Sequence, residues 1–147
     1  TGLYLGVMEV LESKREPIEA LLRAHGILPT RQRLQIAAVL MARPQHLSAE
    51  QVLQLVNARD ATTSRATIYN TLNLLVERGL VREVIIDPER AFYDSNIAPH
   101  HHYYDVETGA LSDIGAAEVR VEGLPGLPEG MVAERTDIIV RIRRRIE

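Results

Sequence analysis

Residues 64–80, SRATIYNTLNLLVERGL, decide the fold of this chain, because their two faces are chemically different. Apolar side chains recur at the spacing of one helix face: Ile68, Leu72, Leu75 and Val76. The groups left facing outward are Arg65, Thr67, Tyr69, Asn70 and Asn73. Ser64 is a typical N-cap and Gly79 a typical helix terminator. The segment is therefore predicted to be an amphipathic helix with arginine, hydroxyl and amide groups in its opening turns.

This polar face fits two interpretations. A recognition helix presents such groups near its N-terminus to the major groove of DNA, whereas an ordinary surface helix exposes a polar face to water. Residues 14–82 hold 10 Lys and Arg against 5 Asp and Glu, and residues 83–147 hold 7 against 13. A basic front half and an acidic back half favour a DNA-facing domain joined to a second module.

Two helices are expected upstream of this segment. Pro17 fits the first turn of a helix, and the apolar side chains that follow it in the sequence end at Gly26. Thr30 caps the second helix. Arg31 and Arg33 lie in its first turn, where the helix dipole disfavours cations unless an anion such as a DNA phosphate is near. The alternative is that both arginines simply point into water.

A further helix and a hairpin complete the front half. Ser48, followed three residues later by Gln51, forms a capping box that opens a third helix. The β-branched and aromatic residues 81–86 and 90–93 predict two strands joined by a turn, directly after the amphipathic helix. Helix-turn-helix followed by a hairpin predicts a winged-helix DNA-binding domain over residues 15–96.

The remaining residues, 97–147, have a different character. Residues 102–106 and 110–114 predict two strands around a tight turn. The LPGLPEG stretch at 124–130 predicts a linker, and residues 137–142 predict a strand that closes a small sheet. So short a sheet with an open edge is a poor domain alone, so pairing with a second copy is expected.

The predicted fold class is thus α+β, an N-terminal winged helix-turn-helix DNA-binding domain followed by a small α/β dimerisation and ligand-sensing domain. Residues 1–14 form an N-terminal extension, either a poorly ordered start or an appended helix. No stretch of the 147 residues approaches the ~18 apolar residues of a membrane span, and no signal peptide pattern is present. The sequence predicts a cytoplasmic protein without a membrane partner.

The histidines are the candidate chemical groups, because the chain contains no cysteine. That excludes disulfides, thiolate metal sites, Cys-ligated haem and cysteine nucleophiles. His100, His101 and His102 are consecutive, and strand alternation lets the first and third share a face while the second points away. Two carboxylates and a fourth histidine accompany them: Asp94, Asp113 and His46. Such a set suits Fe²⁺, Mn²⁺ or Zn²⁺, although an exposed histidine loop that binds metal loosely is the alternative.

Four stretches carry a family resemblance: LPTRQRLQIAAVL, PQHLSAEQV, ATIYNTLNLLVERGLV and HHHYYDVETGALSDI. They resemble the ferric uptake regulator family, and most of all its iron response regulator branch. The resemblance spans about residues 21–144 with matching order and spacing. It implies a homodimeric transcription factor, not an enzyme, that binds palindromic promoter DNA and responds to iron status.

The resemblance also implies one regulatory Fe²⁺ or Mn²⁺ ion per subunit. The matching ligand positions are His46, Asp94, His102 and Asp113. Tyr104 stands where most members have another histidine, so the site has one ligand fewer, a phenolate ligand or a water there. Tyr103 replaces the aspartate of a second histidine-rich site. The family's common structural zinc site needs two cysteine pairs, so no Cys-ligated zinc is expected here.

In the iron response regulator branch haem is the reported signal, and the resemblance implies a haem site at His100, His101 and His102. The Cys-Pro haem motif of some members is absent from this chain, but a histidine can still serve as an axial ligand. A ligand at the hinge would set the angle between the two winged helices and so the fit to two half-sites. Whether metal permits DNA binding or haem abolishes it stays open.

The residues implied at the DNA are Arg65, Thr67, Tyr69 and Asn70 in the major groove, with Arg31 and Arg33 on the backbone. Within this class a peroxide sensor and a manganese or zinc sensor are competing hypotheses. A metal-dependent hydrolase is a remote one, because no glycine-rich phosphate loop, nucleophile elbow or HExxH motif is present. A DNA-binding architectural protein with incidental histidines is the last.

Overall fold

The computed structural model describes residues 2–58 and 62–146, with no side-chain detail for residues 2–12. The chain divides into two compact units, the first ending at Ile97 and the second beginning at Ala98. Each unit contains its own three-stranded sheet.

The first unit carries the described α-helices, which are α1 Gly2–Ala24, α2 Arg31–Met41, α3 Ala49–Val56 and α4 Arg65–Glu77. Helix α1 departs from helical geometry at Lys14, where φ is -122° and ψ is 17°. Pro17 therefore lies at the start of the second segment of α1, where its missing N–H costs nothing. Residues 2–13, before Lys14, are also helical. None of the described helices is long and apolar enough to span a bilayer.

The predicted helix starts are confirmed by their cap geometry. At Thr30, Ser48 and Ser64 the side-chain oxygen accepts a hydrogen bond from the backbone N–H three residues later, at 3.4, 3.2 and 3.1 Å. Gln51 returns the bond, because its Oε1 accepts from the Ser48 N–H at 2.9 Å. These bonds satisfy amides that the helices leave unpaired, which is why the three starts are readable from local sequence.

Helix α4 ends as its sequence predicts. Gly79 adopts a φ of +78°, which glycine enters without steric strain. The Leu80 N–H then donates to the carbonyl of Leu75 at 2.9 Å and closes the end. The buried face of α4 consists of Ile68, Thr71, Leu72 and Leu75. Thr71 was not expected there, and Val76, which was, is half-buried.

Helix α2 is the centre of the first unit. Helical spacing predicts a core face of Leu34, Ala37, Ala38 and Met41. Instead, five consecutive residues from Ile36 to Leu40 are buried as well as Leu34, and Met41 is only half-buried. Helices α1, α3 and α4 all pack against α2. Because its neighbours cover it on several sides, an amphipathic pattern is not required of it.

The sheet of the first unit has the order β1-β3-β2, with β1 His46–Leu47, β2 Arg82–Asp87 and β3 Arg90–Asp94, all antiparallel. Strands β2 and β3 are the predicted hairpin after α4. Strand β1 was not predicted from the sequence, because two residues are too few to show an alternating pattern. Its pairing places His46 opposite Asp94 on β3.

The sheet of the second unit has the order β5-β4-β6, with β4 His100–Asp105, β5 Leu111–Gly115 and β6 Ile139–Ile142. Strand β5 pairs antiparallel with β4, and β6 pairs parallel with it. At the β4–β5 turn Asp105 accepts hydrogen bonds from the backbone N–H groups of Thr108 and Glu107, at 3.1 and 2.9 Å. These bonds stabilise the carboxylate and hold the pKa of Asp105 below its usual value.

The second unit departs from the expected α/β domain. Over residues 98–146 its only helical element is a short 3-10 helix, Ala116–Glu118, and no α-helix is present. Residues 119–138 form neither helix nor strand. Pro125 and Pro128 interrupt this stretch, and proline disrupts helices and central strands alike. The predicted linker is therefore longer than 124–130.

Candidate functional site

Two histidines and an aspartate meet on one face of the second sheet. His100 and His102 alternate with the residue between them along β4, and Asp113 is the β5 partner of His102. Nε2 of His100 lies 3.6 Å from Oδ1 of Asp113, and Nε2 of His102 lies 3.5 Å from the same oxygen. Ligand atoms of the three side chains lie within 4.8 Å of one another, close enough for a single metal ion.

The surroundings of this cluster fit a cation. His100 and His102 are 5% and 1% exposed. The Ala98 carbonyl, which can only accept, lies 2.6 Å from Nδ1 of His100, so this nitrogen donates to it and Nε2 is the ring atom that faces Asp113. A histidine oriented by a backbone carbonyl is also the usual support of a metal ligand.

His101 has a different role from its two neighbours. It lies on the opposite face of β4, and its Nδ1 accepts a hydrogen bond from the Ile138 N–H at 3.1 Å. The carbonyl of Ile138 accepts in turn from the His102 N–H, also at 3.1 Å. The HHH run thus divides into two members of the cluster and one that ties β4 to the chain entering β6.

Tyr104 lies on the same face as His100 and His102 and is 2% exposed. Its hydroxyl lies beside Gly109 at the β4–β5 turn. The guanidinium of Arg141 lies 5.8 Å from the centre of its ring, within the range of a cation–π contact. The phenol is therefore directed towards the turn, two residues beyond His102.

The first unit contains a second histidine–carboxylate pair. The pairing of β1 with β3 brings Nε2 of His46 within 3.5 Å of Oδ2 of Asp94. Asp94 is 1% exposed, and its Oδ1 accepts a hydrogen bond from the Asn96 N–H at 2.8 Å. A carboxylate this deeply buried needs such partners to remain charged. The pair offers one imidazole and one carboxylate of the kind that divalent metals bind.

The predicted DNA-facing residues in the first turns of α4 differ in their exposure to solvent. Arg65, Tyr69 and Asn70 are exposed, with Tyr69 44% exposed. Thr67 is half-buried, and its Oγ1 accepts a hydrogen bond from the hydroxyl of Ser64 at 3.0 Å. Thr67 therefore contributes to the start of the helix, while the other three form its outer surface.

The two arginines of α2 also differ. Arg31 is exposed, next to a surface depression of about 270 Å³ that Thr30, Gln32 and Gln35 also line. Arg33 is half-buried, and its Nη1 donates to the carbonyl of Leu28 at 3.1 Å. Arg31 is thus the better placed of the two to meet a phosphate.

Two residues that position α4 were not predicted from the sequence. Glu50, in the first turn of α3, accepts hydrogen bonds from both terminal nitrogens of Arg65. The hydrogen bond and the charge of Glu50 raise the pKa of Arg65. Asn57 donates to the carbonyl of Thr63 at 2.7 Å and accepts from its N–H at 3.1 Å, just ahead of α4. No local pattern joins positions six or fifteen residues apart outside one helix.

The chain is similar to known proteins in sequence and in fold. A model of the ferric uptake regulator family matches residues 24–124. The peroxide-responsive repressors PerR of Staphylococcus epidermidis and of Staphylococcus aureus Mu50 are 28% and 30% identical to this chain over 106 residues. The matches cover 72% of this chain and 71% and 72% of the two repressors. The ferric uptake regulator of Pseudomonas aeruginosa, solved with manganese, has the same fold, with a TM-score of 0.65, 24% identity and coverage of 87% of this chain and 98% of that one.

Proposed function

Because the chain belongs to the ferric uptake regulator family, whose members are transcriptional regulators and not enzymes, we propose that it is a metal-controlled repressor that binds promoter DNA as a homodimer. The observation that carries this proposal is the convergence of His100 and His102 on Asp113. Buried imidazoles around one carboxylate are the donor set expected for a regulatory divalent ion.

We propose one Fe²⁺ or Mn²⁺ ion per subunit. In the second unit we propose His102 and Asp113 as ligands, with His100 as one that the resemblance did not include; the resemblance adds His46 and Asp94 of the first unit. Their separate geometries support this set, because each unit brings its own imidazole and carboxylate groups together. In place of a Tyr104 phenolate we propose a water ligand, because its hydroxyl is directed towards the β4–β5 turn.

We propose that the first unit is a winged helix in which α4 enters the major groove. The hairpin of β2 and β3 directly after α4 supports this assignment, as does the exposure of Arg65, Tyr69 and Asn70. Arg31 would contact the backbone. Two copies of the chain would then bind the two half-sites of a palindrome. We propose that the regulator is cytoplasmic.

Dimerisation would use the second unit. Large exposed apolar side chains among its described residues support this role: Tyr103, Val106, Val121, Leu124, Leu127, Met131, Val132, Val140, Ile142 and Ile146. Exposed apolar surface on this scale marks an interaction site.

A peroxide-responsive repressor is the second candidate, and the similarity to the two PerR repressors favours it. We also keep haem as a proposed signal, on the resemblance of the HHH run to the iron response regulator branch. His100 and His102 are buried, so His101 is the accessible member of that run for a haem iron.

A DNA-binding titration tests the proposal. Duplexes enriched from a randomised pool are titrated with protein that is metal-free, loaded with Mn²⁺, loaded anaerobically with Fe²⁺, or supplied with haem. Binding that requires Mn²⁺ or Fe²⁺, and that His102→Ala abolishes, supports the metal switch. Release by hydrogen peroxide from the Fe²⁺ form alone would assign the signal to peroxide. Release by haem that is lost when His100, His101 and His102 are replaced would assign it to haem, and indifference to every ligand contradicts the sensor.

A further inference from the structure

Glu50 and Arg65 form a forked ion pair across the starts of two helices. Glu50 lies in the first turn of α3, and Arg65 is the first residue of α4. Nη1 of Arg65 donates to Oε2 of Glu50, and Nη2 donates to Oε1 at 3.5 Å. Two parallel N–H···O bonds fix the plane and the direction of the guanidinium.

Folding stability does not account for this pair. The side chains of Arg65 and Glu50 are 59% and 50% exposed, and exposed ion pairs contribute little to stability. Both helices already have complete N-caps at Ser48 and Ser64. The carboxylate also lies on the surface that presents α4, where a negative charge opposes contact with DNA.

The geometry of the fork explains what such a carboxylate can do. Arginine reads guanine through two parallel hydrogen bonds to O6 and N7. Glu50 occupies the edge of the guanidinium formed by Nη1 and Nη2, so the Nε–H and one Nη–H of Arg65 remain as the fork for guanine. A phosphate also accepts two hydrogen bonds from arginine, but it brings a negative charge beside Glu50. The neutral edge of guanine does not. Glu50 therefore penalises a backbone contact of Arg65 more than a base contact.

We infer that Glu50 is a positioning residue that sets the sequence discrimination of α4, because by holding the Nη1–Nη2 edge it orients the Nε–Nη fork of Arg65 for a guanine edge and disfavours its capture by phosphates. The inference rests on the proposed DNA-binding function of α4. It predicts that Glu50 affects the choice between DNA sequences more than the affinity for the preferred one.

The test uses the Mn²⁺-loaded protein and a duplex that the wild type enriches from a randomised pool, with a scrambled duplex of equal length. Dissociation constants for both are measured by fluorescence anisotropy over a salt series. Glu50→Gln keeps the shape of the side chain and removes its charge. The discrimination ratio is the dissociation constant for scrambled DNA divided by that for the enriched duplex. We expect Glu50→Gln to lower this ratio about tenfold, which is within the range of one forked base contact. On scrambled DNA the slope of log affinity against log salt concentration should become steeper by about one, which corresponds to one more counterion released.

Three further variants separate this role from general effects. Glu77→Gln removes an exposed charge at the other end of α4 and should leave the ratio unchanged. Glu50→Asp keeps the charge but has a shorter side chain. Its binding to scrambled DNA should therefore remain weak, and its ratio of dissociation constants should lie between those of the wild type and Glu50→Gln. In an Arg65→Ala background Glu50→Gln should no longer change the ratio. Thermal unfolding confirms that each variant folds.

The outcomes are distinct. A ratio unchanged by Glu50→Gln, or an equal fall with Glu77→Gln, overturns the inference while the proposed function stands. An equal fall in the Arg65→Ala background also overturns it, because Glu50 would then act without Arg65. A wild-type protein that enriches no duplex under any metal condition overturns the proposed function, and the inference with it.

Discussion

The two units of this chain differ in what fills their centres. The first has a continuous apolar cluster that runs from Ile18 to Tyr93 and draws on all four helices and the sheet. In the second, over residues 98–146, Tyr104 and Ile114 are the buried apolar side chains, and the other buried side chains are those of His100 and His102. The first unit is stabilised by the burial of apolar side chains, whereas the second unit buries imidazole groups that require hydrogen-bonding or metal partners.

This difference indicates where each unit obtains its stability. The apolar core of the first unit is sufficient for a small domain. The second exposes most of its large apolar side chains and has about fifty residues, a size at which a single chain buries little surface. Its stability is therefore expected to depend on a bound ion and on a second copy of the chain. Four sets of substitutions follow from this contrast.

The largest effect is expected in the core of the first unit. Leu72→Ala removes a side chain that is 0% exposed and should lower the free energy of unfolding by ~2–5 kcal/mol. Ile114→Ala in the second unit should have a smaller effect, because few apolar neighbours surround the cavity that it leaves. Chemical denaturation of both variants measures the difference. Equal losses would contradict the contrast between the two cores.

The next effect concerns the polar centre of the second unit. Asp113→Ala removes the carboxylate on which His100 and His102 converge, so the affinity for Mn²⁺ should fall by roughly 100-fold. Isothermal titration calorimetry measures this change. Ser112→Ala, the exposed preceding residue, should leave the affinity unchanged. A variant that binds Mn²⁺ as tightly as the wild type would show that the ion binds elsewhere.

The exposed apolar surface provides a third test. Leu124 is 66% exposed, and Leu28 in the first unit is 63% exposed. Leu124→Asp should raise the dimer dissociation constant about tenfold, or ~1.4 kcal/mol, because it places a charge where a second copy is expected to pack. Leu28→Asp should leave it unchanged. Sedimentation equilibrium distinguishes the two, and equal behaviour would argue against a dimer built on the second unit.

The smallest expected effect lies at the entry to α4. Asn57→Ala removes both side-chain hydrogen bonds to Thr63, which should lower the free energy of unfolding by ~1 kcal/mol and weaken DNA binding through a looser helix start. Asn57→Asp keeps the acceptor for the Thr63 N–H and loses the donor, so its loss should be intermediate. Denaturation and anisotropy measurements test both effects, and unchanged values would show that the Ser64 cap alone orients α4.

Much of the first unit was predictable from its sequence. Helix caps at Thr30, Ser48 and Ser64 involve residues three apart, and such local bonds form whatever the rest of the chain does. The hairpin after α4 was readable for the same reason. The burial of α2 and the two-residue strand β1 were not, because both depend on neighbours distant in sequence.

The candidate site was predictable in part. Strand alternation correctly separated His101 from His100 and His102, because a period of two is a property of any strand. The register that sets Asp113 opposite His102 follows from the β4–β5 turn, and the resemblance had already named both residues. The direction of the Tyr104 hydroxyl and the contact of Glu50 with Arg65 had no sequence signal.

By itself, the sequence of this chain determined the helix starts, the alternation along β4, the absence of thiolate chemistry and the family. Each of these depends on neighbouring residues or on residue type. The tertiary structure alone decided which side chains of α2 are buried, that β1 sets His46 against Asp94, and that Glu50 holds Arg65. These contacts join residues up to 48 positions apart, as for His46 and Asp94, and only the packed chain brings such residues together.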